Sequence, residues 1–555
     1  MPAPAPRARE SRSATRSRHD RQRVPPTRHS PSGCRRRQNG GVPHSTLPLI
    51  PLPASAVARE DAGLRIGEAT HLTGDPDAAA TFADLVARRC GLRLAAPGSA
   101  PAEGADTIEF RREHARPGGH ESYTVTVDAT SAVVASPGEA GLFYGAQTLA
   151  QLVTGDGEGG WLIRASEIAD APRFAYRGVM LDVARHFFSV ETVCAYIDRA
   201  AALKFNHLHL HLTDDQGWRI ELASRPELTA RASATAIGGD PGGFYTHADY
   251  AAIVAHAASR HMTVVPEVDV PSHTHAIGLA YPDLAEPPVI SDTVRETAAQ
   301  FGGGLPTPGV PYTGFAVGFS SLKTRDEATY DFLADVLGEL AAMTPGPYLH
   351  IGGDECLGTD PADFADFIER VTEMVANLGK TPMAWHEAGA AGRIAPSTIG
   401  QYWGLVTPTD DSAAAAQAFV RGGSQLIMSP ADAVYLDMKR DPESPLGLLW
   451  ADGATSVQRA YEWEPTAVLD GVGEAEILGV EAPLWTETVR TFDDIDALAF
   501  PRIAAAAEAA WSPATGSSPD RTWESFRMRL AAQGAAWEAA GIAFDRSPEI
   551  DWPGA

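Results

Sequence analysis

Beyond residue 173, short apolar segments alternate with longer amphipathic segments, and this alternation constrains the fold more than any other feature of the sequence. Apolar residues recur at helical spacing in the longer segments, which indicates helices between strands. We predict strands over Tyr176–Asp182, Asn206–Leu212, Thr263–Val268, Tyr348–Ile351, Pro382–Trp385, Ile399–Trp403, Gln425–Met428 and Ile477–Leu484. We predict helices over Val190–Leu203, Tyr250–Arg260, Asp326–Met343, Pro361–Leu378, Ser412–Arg421 and Ile495–Trp511. Eight such strands favour an α/β fold, a (β/α)8 TIM barrel, over an open doubly wound sheet. No G-x-G-x-x-G segment follows the first strand, which weakens a dinucleotide-binding alternative.

Residues 48–172 have the pattern of a smaller α+β domain that precedes the barrel. Strands are predicted over Leu64–Ile66, Thr107–Phe110, Ser122–Val127 and Ala132–Ala135, and helices over Ala78–Arg89 and Gly141–Leu152. The last two strands are expected to form a hairpin in a small antiparallel sheet. This domain carries no dense group of polar residues, so we predict that it packs against the barrel that follows. The barrel is expected to occupy residues 173–555 and to end in a closing helix over Trp523–Ala540.

Composition separates residues 1–47 from the rest of the chain. They contain eleven arginines, two acidic residues and almost no aliphatic side chains, so we predict a disordered arm. Arg35–Arg37 is not followed by the apolar stretch of an export signal, which favours a cytoplasmic location. The net charge of -26 for the whole chain argues against nucleic-acid binding. No apolar run reaches the roughly 18 residues that a membrane span needs, so no membrane partner is expected.

The segment Tyr348–Glu355 is the strongest candidate for a catalytic centre. Two glycines, which let the backbone turn freely, follow the apolar end of a predicted strand and precede the adjacent carboxylates Asp354 and Glu355. In a parallel barrel the catalytic side chains collect at this end of the strands. Neighbouring carboxylates do not ionise independently, so one of them can stay protonated as an acid. The alternative is a pair that only caps the following helix.

Polar and aromatic side chains also follow the other predicted strands. Carboxylates, an arginine and several tryptophans are typical of a carbohydrate pocket, because sugar faces stack on indoles while hydroxyls need polar partners. In chain order these residues are Asp182, Arg185, Asp214, Asp215, Glu267, Asp269, His273, Trp385, Glu387, Trp403, Asp432, Tyr435, Asp437, Trp450, Trp485 and Glu487.

His207, His209 and His211 share one face of the second predicted strand. Paired histidines on a barrel strand can hold zinc, which leaves a zinc-dependent hydrolase as an alternative. Later strands offer few histidines at matching ends. We therefore favour structural histidines inside the barrel and predict no metal ligand set.

Four segments resemble glycoside hydrolase family 20, whose members are β-N-acetylhexosaminidases. They are RGVMLDVARHF at 177–187, HLHLTDDQGWR at 209–219, VPEVDVPSHT at 265–274 and HIGGDE at 350–355, in the order and spacing of that family. The resemblance extends from about residue 48 to the C-terminus and includes the small N-terminal domain. Ser272 occupies a position where the family more usually has glycine.

The resemblance implies an exo-acting, retaining enzyme that removes terminal β-linked GlcNAc or GalNAc from the non-reducing end of carbohydrates such as chitooligosaccharides. In this family the substrate's own acetamido group is the nucleophile. Glu355 then corresponds to the general acid/base, and Asp354 to the carboxylate that orients the acetamido N–H and stabilises an oxazolinium intermediate. Tyr435 corresponds to the donor to the acetamido carbonyl. No metal or organic cofactor is implied.

The resemblance assigns further residues to substrate binding. Arg185, Asp437 and Glu487 would bind sugar hydroxyls, and Asp214 with His273 would form hydrogen bonds toward Glu355. Trp385, Trp403 and Trp485 would line the acetamido pocket, with Trp450 as a platform for the leaving group. A sugar-binding barrel without activity, or a relative that releases a disaccharide, remains an alternative. The preference between GlcNAc and GalNAc and the oligomeric state stay open.

Overall fold

Eight parallel strands close into a barrel in the order in which they occur along the chain. We number them β1 to β8: Tyr176–Asp182, His207–His211, Thr263–Glu267, Tyr348–His350, Thr381–Trp385, Ile399–Tyr402, Leu426–Met428 and Ile477–Leu484. β1 pairs with both β2 and β8, which closes the ring. The predicted (β/α)8 barrel is confirmed. The computed structural model describes residues 47–60, 62–95, 106–114 and 119–553. Residues 1–46 of the predicted arm therefore lie outside the described residues.

Helices cover the outside of the barrel. The longer ones span Val190–Ala201 (α1), His247–Ser259 (α2), Glu327–Met343 (α3), Pro361–Asn377 (α4), Ser412–Arg421 (α5), Phe492–Ala499 (α6) and Arg502–Trp511 (α7). The single helix predicted over Ile495–Trp511 is wrong, because Pro501 lacks the backbone N–H and its ring disfavours helix at the preceding residue. The predicted closing helix is likewise two helices, Trp523–Ala531 and Gly534–Ala539.

Further helical segments lie in the connections between the strands. They are Glu227–Ala232, Ile237–Gly239, His275–Ala280, Pro282–Leu284, Asp292–Phe301, His386–Ala391, Ala431–Val434, Val457–Tyr461 and Pro465–Ala467. A two-stranded ribbon of Thr213–Asp214 and Gly217–Trp218 follows β2. None of the helices in the part of the chain that the structure describes is long and apolar enough to cross a membrane.

The described residues of the N-terminal domain form two sheets. The first has six strands in the order Ser55–Ala58, Ser166–Asp170, Tyr123–Val127, Ser131–Ser136, Thr107–Arg112 and His71–Gly74. The second has three: Leu64–Ile66, Trp161–Ile163 and Val153–Gly155. Helices Pro76–Cys90 and Glu139–Gln151 pack with them.

The hairpin predicted in this domain is confirmed, since its two strands pair antiparallel and Asp128 Oδ1 accepts the N–H groups of Thr130 and Ser131 at 2.8 Å each. The prediction of a wholly antiparallel sheet is wrong. His71–Gly74 and Thr107–Arg112 pair in parallel because a helix connects them, and a crossover of this kind returns the chain in the same direction.

A buried ionic cluster joins the N-terminal domain to the barrel. Lys204, which follows α1, places Nζ 3.0 Å from Asp170 Oδ2 and donates to the hydroxyl of Tyr123 at 2.7 Å. The same Asp170 oxygen accepts the indole N–H of Trp511 at 3.0 Å. The side chains of Lys204 and Asp170 are at most 1% exposed, so each charge depends on the other for compensation.

Replacing Lys204 by methionine is therefore expected to lower the free energy of unfolding by about 3–5 kcal/mol, because Asp170 is left as an uncompensated buried charge. Urea unfolding of the full chain measures this loss. The double variant Lys204→Met/Asp170→Asn should recover part of it, since the amide still accepts from Tyr123 and Trp511. A single variant as stable as the unaltered chain would contradict the importance of this ion pair.

Candidate active site

The turn after β4 brings two carboxylates to the barrel mouth. Gly352 and Gly353 have φ of 68° and 95°, a region that favours glycine. A Cβ at Gly352 would lie 1.8 Å from Asp269 Oδ1, so only glycine fits there. Gly353 donates its N–H to the same oxygen at 3.1 Å. Glu355 itself has φ of 49°, and backbone strain of this kind in a residue with a side chain is common at functional sites.

His273 contacts both members of the carboxylate pair. Its Nε2 lies 3.4 Å from Glu355 Oε2 and 3.7 Å from Asp354 Oδ2, while its Nδ1 lies 3.2 Å from Asp214 Oδ1. Burial lowers the pKa of His273, but the surrounding carboxylates outweigh burial and raise that pKa well above its usual value. The ring is therefore an imidazolium held between Asp214 and the pair of Asp354 and Glu355.

Asp269 is a member of the site to which the sequence assigned no role. Burial, followed by the charge of Asp354, raises the pKa of Asp269 well above its usual value. Burial also raises the pKa of Asp354, but His273 and a hydrogen bond with Asp269 oppose that shift. The pKa of Asp269 is thus raised further than that of Asp354, which favours the proton of this pair on Asp269 and a carboxylate at Asp354. The available signal in the sequence was the position of Asp269 just after β3. Its contact with Gly353 depends on the turn after β4.

Arg185 anchors a second part of the site. Its Nη2 lies 2.9 Å from Asp214 Oδ2 and its Nη1 lies 3.4 Å from Asp182 Oδ2. The guanidinium carbon lies 4.8 Å from the ring centre of Trp485. Burial lowers the pKa of Arg185, but Asp214 and Asp182 more than compensate, so the pKa is raised well above its usual value. A fixed, charged donor fork is thereby presented at the mouth of the barrel.

Asp437 and Glu487 lie beside this arginine region. Asp437 Oδ1 accepts the backbone N–H of Trp485 at 3.3 Å, whereas its buried Oδ2 has no hydrogen-bond partner among the described residues. Burial and then the charge of Glu487 raise the pKa of Asp437 well above its usual value. Burial also raises the pKa of Glu487. Such unsatisfied buried polar atoms indicate groups that await a polar ligand.

Aromatic rings line the remainder of the pocket. Trp385 and Trp485 have ring centres 6.0 Å apart, and Tyr435 lies 6.4 Å from Trp485. Trp450 stands edge-on to Tyr435 at 5.7 Å and to Trp403 at 5.9 Å. Trp385 is 1% exposed and Trp450 is 49% exposed, so the rings run from the floor of the pocket to its outer edge.

The structure brings the site residues implied by the resemblance together at the carboxyl ends of the strands. Asp432 instead pairs with Arg459, and Asp215 accepts hydrogen bonds from His275 and Ser320.

The histidines of β2 bind carboxylates inside the barrel. His209 places Nδ1 2.9 Å from Glu481 Oε1 and Nε2 3.1 Å from Glu267 Oε2. His211 places Nδ1 2.5 Å from Glu267 Oε2 and Nε2 2.9 Å from Asp214 Oδ2. Although burial lowers the pKa of His209, Glu481 and Glu267 raise it to about 10. A continuous chain of charged groups thus leads from the barrel interior to the site.

His207 differs from its two neighbours. Its ring stacks on Tyr176 at 4.0 Å, and burial lowers its pKa to about 3. His209, Glu267 and His350 offer ligand atoms within 4.8 Å of one another and could geometrically hold a metal ion. However, Glu267 Oε1 already lies 3.0 Å from His350 Nδ1, and its Oε2 lies near His209. The interpretation of the β2 histidines as structural groups agrees with these contacts.

Comparison with protein families gives two matches that together span most of the chain. The model described as "Glycosyl hydrolase family 20, catalytic domain" matches residues 174–361 and 359–514. The model described as "Glycosyl hydrolase family 20, domain 2" matches residues 46–171. The two matches correspond to the barrel and to the small domain that precedes it.

Individual relatives agree with these matches. The beta-N-acetylhexosaminidase of Cellulomonas fimi is 40% identical over 475 residues, which cover 85% of this chain and 89% of that protein. The solved structure of a glycoside hydrolase family 20 beta-N-acetylglucosaminidase superposes with a TM-score of 0.84 at 59% identity, over 91% of this chain and 100% of that chain. A mutant beta-hexosaminidase of Streptomyces plicatus, in complex with the product GlcNAc, superposes with a TM-score of 0.81 at 43% identity, over 91% and 98% of the two chains.

Proposed function

Because the chain belongs to glycosyl hydrolase family 20 and is a β-N-acetylhexosaminidase by that membership, we propose that it removes single terminal β-linked GlcNAc or GalNAc residues with retention of configuration. The observation that carries the proposal is the arrangement of Asp354, Glu355 and Tyr435 around one pocket lined by indoles. These groups match an acceptor, an acid and a donor for the acetamido-assisted reaction.

The first step uses the acetamido group of the substrate as the nucleophile. Asp354 Oδ1 is buried without a hydrogen-bond partner among the described residues and is free to accept the acetamido N–H. Burial and then Asp437 raise the pKa of Tyr435 well above its usual value, so the hydroxyl stays a donor to the acetamido carbonyl. The carbonyl oxygen bonds to C1, the glycosidic C–O bond breaks, and Glu355 protonates the departing oxygen.

The second step regenerates the enzyme. Water attacks C1 on the face that the leaving group vacated and gives its proton to Glu355, while the bond between C1 and the acetamido oxygen breaks. Two inversions leave the configuration unchanged. Throughout, the negative Asp354 faces the positive oxazolinium, and the imidazolium of His273 lies 3.4 Å from Glu355 Oε2, so its positive charge faces this carboxyl group.

The polar groups gathered around Arg185 support exo action. Arg185, Asp437 and Glu487 present a charged fork and buried acceptors that suit the hydroxyls of a terminal sugar. Trp385, half-buried Trp403 and Trp485 suit the acetamido side. The exposed ring of Trp450 would then stack on the sugar or aryl group that leaves.

Incubation with chitobiose, chitotriose and the two aryl β-N-acetylhexosaminides tests the proposal. We expect single GlcNAc units as the initial product of both oligosaccharides, because Arg185, Asp437 and Glu487 would bind the hydroxyls of one terminal sugar. Proton NMR recorded during turnover should show the β-anomer first. Release of a disaccharide from chitotriose, or initial α-product, would contradict exo-acting retention, and absence of turnover would favour the sugar-binding alternative. Loss of activity after exhaustive chelation would favour the zinc alternative.

Replacing Asp214 by asparagine is expected to shift the alkaline limb of the kcat profile to lower pH. Asp214 is the carboxylate that raises the pKa of His273 most, so removing its charge lets this pKa fall. The imidazolium exists below its pKa and would therefore be lost at lower pH than in the unaltered chain. A profile of kcat against pH measures the shift of the alkaline limb. It does so separately from the weaker substrate binding that follows from losing the ion pair with Arg185. Coinciding alkaline limbs would contradict a functional imidazolium.

A further inference from the structure

Glu387 is a half-buried carboxyl group of the pocket that the mechanism above does not use, with its side chain 29% exposed. It lies in the short helix His386–Ala391, directly after β5 and two residues beyond Trp385. The indole N–H of Trp403 points at this carboxyl group, with Nε1 3.1 Å from Oε1 and 3.0 Å from Oε2. Both oxygens therefore share one donor. Trp403 follows β6, so the contact ties two neighbouring strand ends together across the mouth.

The surroundings of Glu387 are strongly acidic. Burial, followed by the charges of Asp354 and then Glu355, raises the pKa of Glu387 well above its usual value, which keeps a third negative charge out of the pocket. A neutral carboxyl group still accepts through its carbonyl oxygen, so the contact with Trp403 does not require ionisation. His386 Nδ1 lies 3.4 Å from Glu387 Oε2, and burial lowers the pKa of His386 to about 4, so this neighbour is uncharged.

The orientation of Trp403 decides the shape of one side of the pocket. Its ring stands at 74° to Trp450 with ring centres 5.9 Å apart, and Trp450 in turn stands edge-on to Tyr435. The ring is half-buried, and its other close aromatic neighbour is His386 at 5.3 Å. An indole with one open face can rotate unless its N–H is held, and the contact with Glu387 provides that constraint.

We propose that Glu387 is a positioning residue that fixes the Trp403 indole as a wall of the acetamido pocket and thereby limits the size of the N-acyl group that the pocket accepts. This inference rests on the proposed function, because the acyl group in question is the one that acts as nucleophile. Glu387 acts through Trp403 and does not itself touch the reacting atoms.

The test compares Glu387→Ala with Glu387→Gln, which keeps an acceptor oxygen of the same shape and is uncharged. Aryl β-glucosaminides bearing N-acetyl, N-propanoyl and N-butanoyl groups are the substrates. We expect Glu387→Ala to lower kcat/KM on the N-acetyl substrate about tenfold, because the indole N–H of Trp403 is left unpaired. The same variant should reduce the discrimination against the N-butanoyl substrate severalfold. Glu387→Gln should retain both the rate and the discrimination to within about threefold.

A second pair of variants separates positioning from a general loss of stability. Trp403→Phe removes the N–H, so adding Glu387→Ala to Trp403→Phe should change kcat/KM by less than about twofold if the two residues act as a unit. Three results would each overturn the inference. The first is an equal loss of kcat/KM when Glu387→Ala is added to the unaltered chain and to Trp403→Phe. The second is an equal loss of kcat/KM by Glu387→Gln and Glu387→Ala, and the third is an unchanged discrimination between the acyl groups. Thermal melting of every variant identifies any that fail to fold.

A sugar-free crystal structure of Glu387→Ala gives a readout that does not depend on turnover. We expect the Trp403 indole to leave its position against Trp450, and an unmoved indole would overturn the inference. Failure of the proposed function would instead be seen as an unaltered chain that hydrolyses no N-acetylhexosaminide. The two failures are therefore distinguishable.

Discussion

Exchanging the 2-acetamido group of an aryl β-N-acetylglucosaminide for a hydroxyl is expected to lower kcat/KM by a factor of about 10⁵ or more. The loss follows because the chain offers an acceptor, Asp354, and a donor, Tyr435, for a nucleophile that the substrate must bring. An intramolecular nucleophile in the right geometry has an effective molarity of roughly 10⁵ M or higher, and the hydroxyl substrate lacks it. Measured kcat/KM for the two aryl glycosides with the same leaving group gives the ratio directly.

The matching control is the substrate with an N-trifluoroacetyl group, which retains the amide but has a less nucleophilic carbonyl oxygen. Its rate should fall between those of the acetamido and hydroxyl substrates. Comparable rates on the acetamido and hydroxyl glycosides would exclude the assisted mechanism and would require an enzymic nucleophile instead.

The Glu355→Gln variant should lose about 10² to 10⁴-fold in kcat on chitobiose, because a general acid contributes a factor of this size when the leaving group needs a proton. An aryl leaving group of low pKa departs without protonation, so the loss on its first step should be much smaller. The amide is close in size to the carboxyl group, which preserves packing in the turn after β4. Steady-state kinetics across a series of aryl leaving groups measures how the loss depends on leaving-group pKa.

Glu524→Gln serves as the control for this variant, since its side chain is 67% exposed on the helix Trp523–Ala531, within the closing segment. It should leave kcat unchanged on every substrate. A uniform loss across the leaving-group series in Glu355→Gln would contradict its role as the acid and would indicate a more general disturbance of the site.

The barrel could be predicted from the sequence because its strands are short and largely buried, most of them are apolar, and amphipathic helices separate most of them. The predicted bounds of Tyr176–Asp182 and Ile477–Leu484 agree with the structure at both ends. The break before Pro501 was missed because alanine-rich helical spacing continues on both sides of it. The parallel pairing in the small domain was missed because it depends on a crossover helix and not on the alternation within a strand.

The predicted site residues have one property that can be recognised from the sequence. They follow the carboxyl ends of predicted parallel strands. Asp269 and Glu387 have that property too, yet their partners could not be foreseen. The contact of Asp269 with the backbone of Gly353 depends on a turn two residues beyond the next strand, and the contact of Glu387 with Trp403 depends on the twist between β5 and β6. Such contacts arise from the closure of the barrel as a whole.

The ionic cluster of Lys204, Asp170, Tyr123 and Trp511 has a consequence for the modularity of this architecture. In a domain that folds independently of its neighbours, the buried charges are paired within the domain. Here the counter-charge of a barrel lysine is supplied by the last strand of the small domain, and the same carboxylate binds an indole from the end of α7. A barrel cut away at residue 172 would leave Lys204 without its counter-charge and Trp511 without its acceptor, so we expect it to be less stable than the barrel within the full chain.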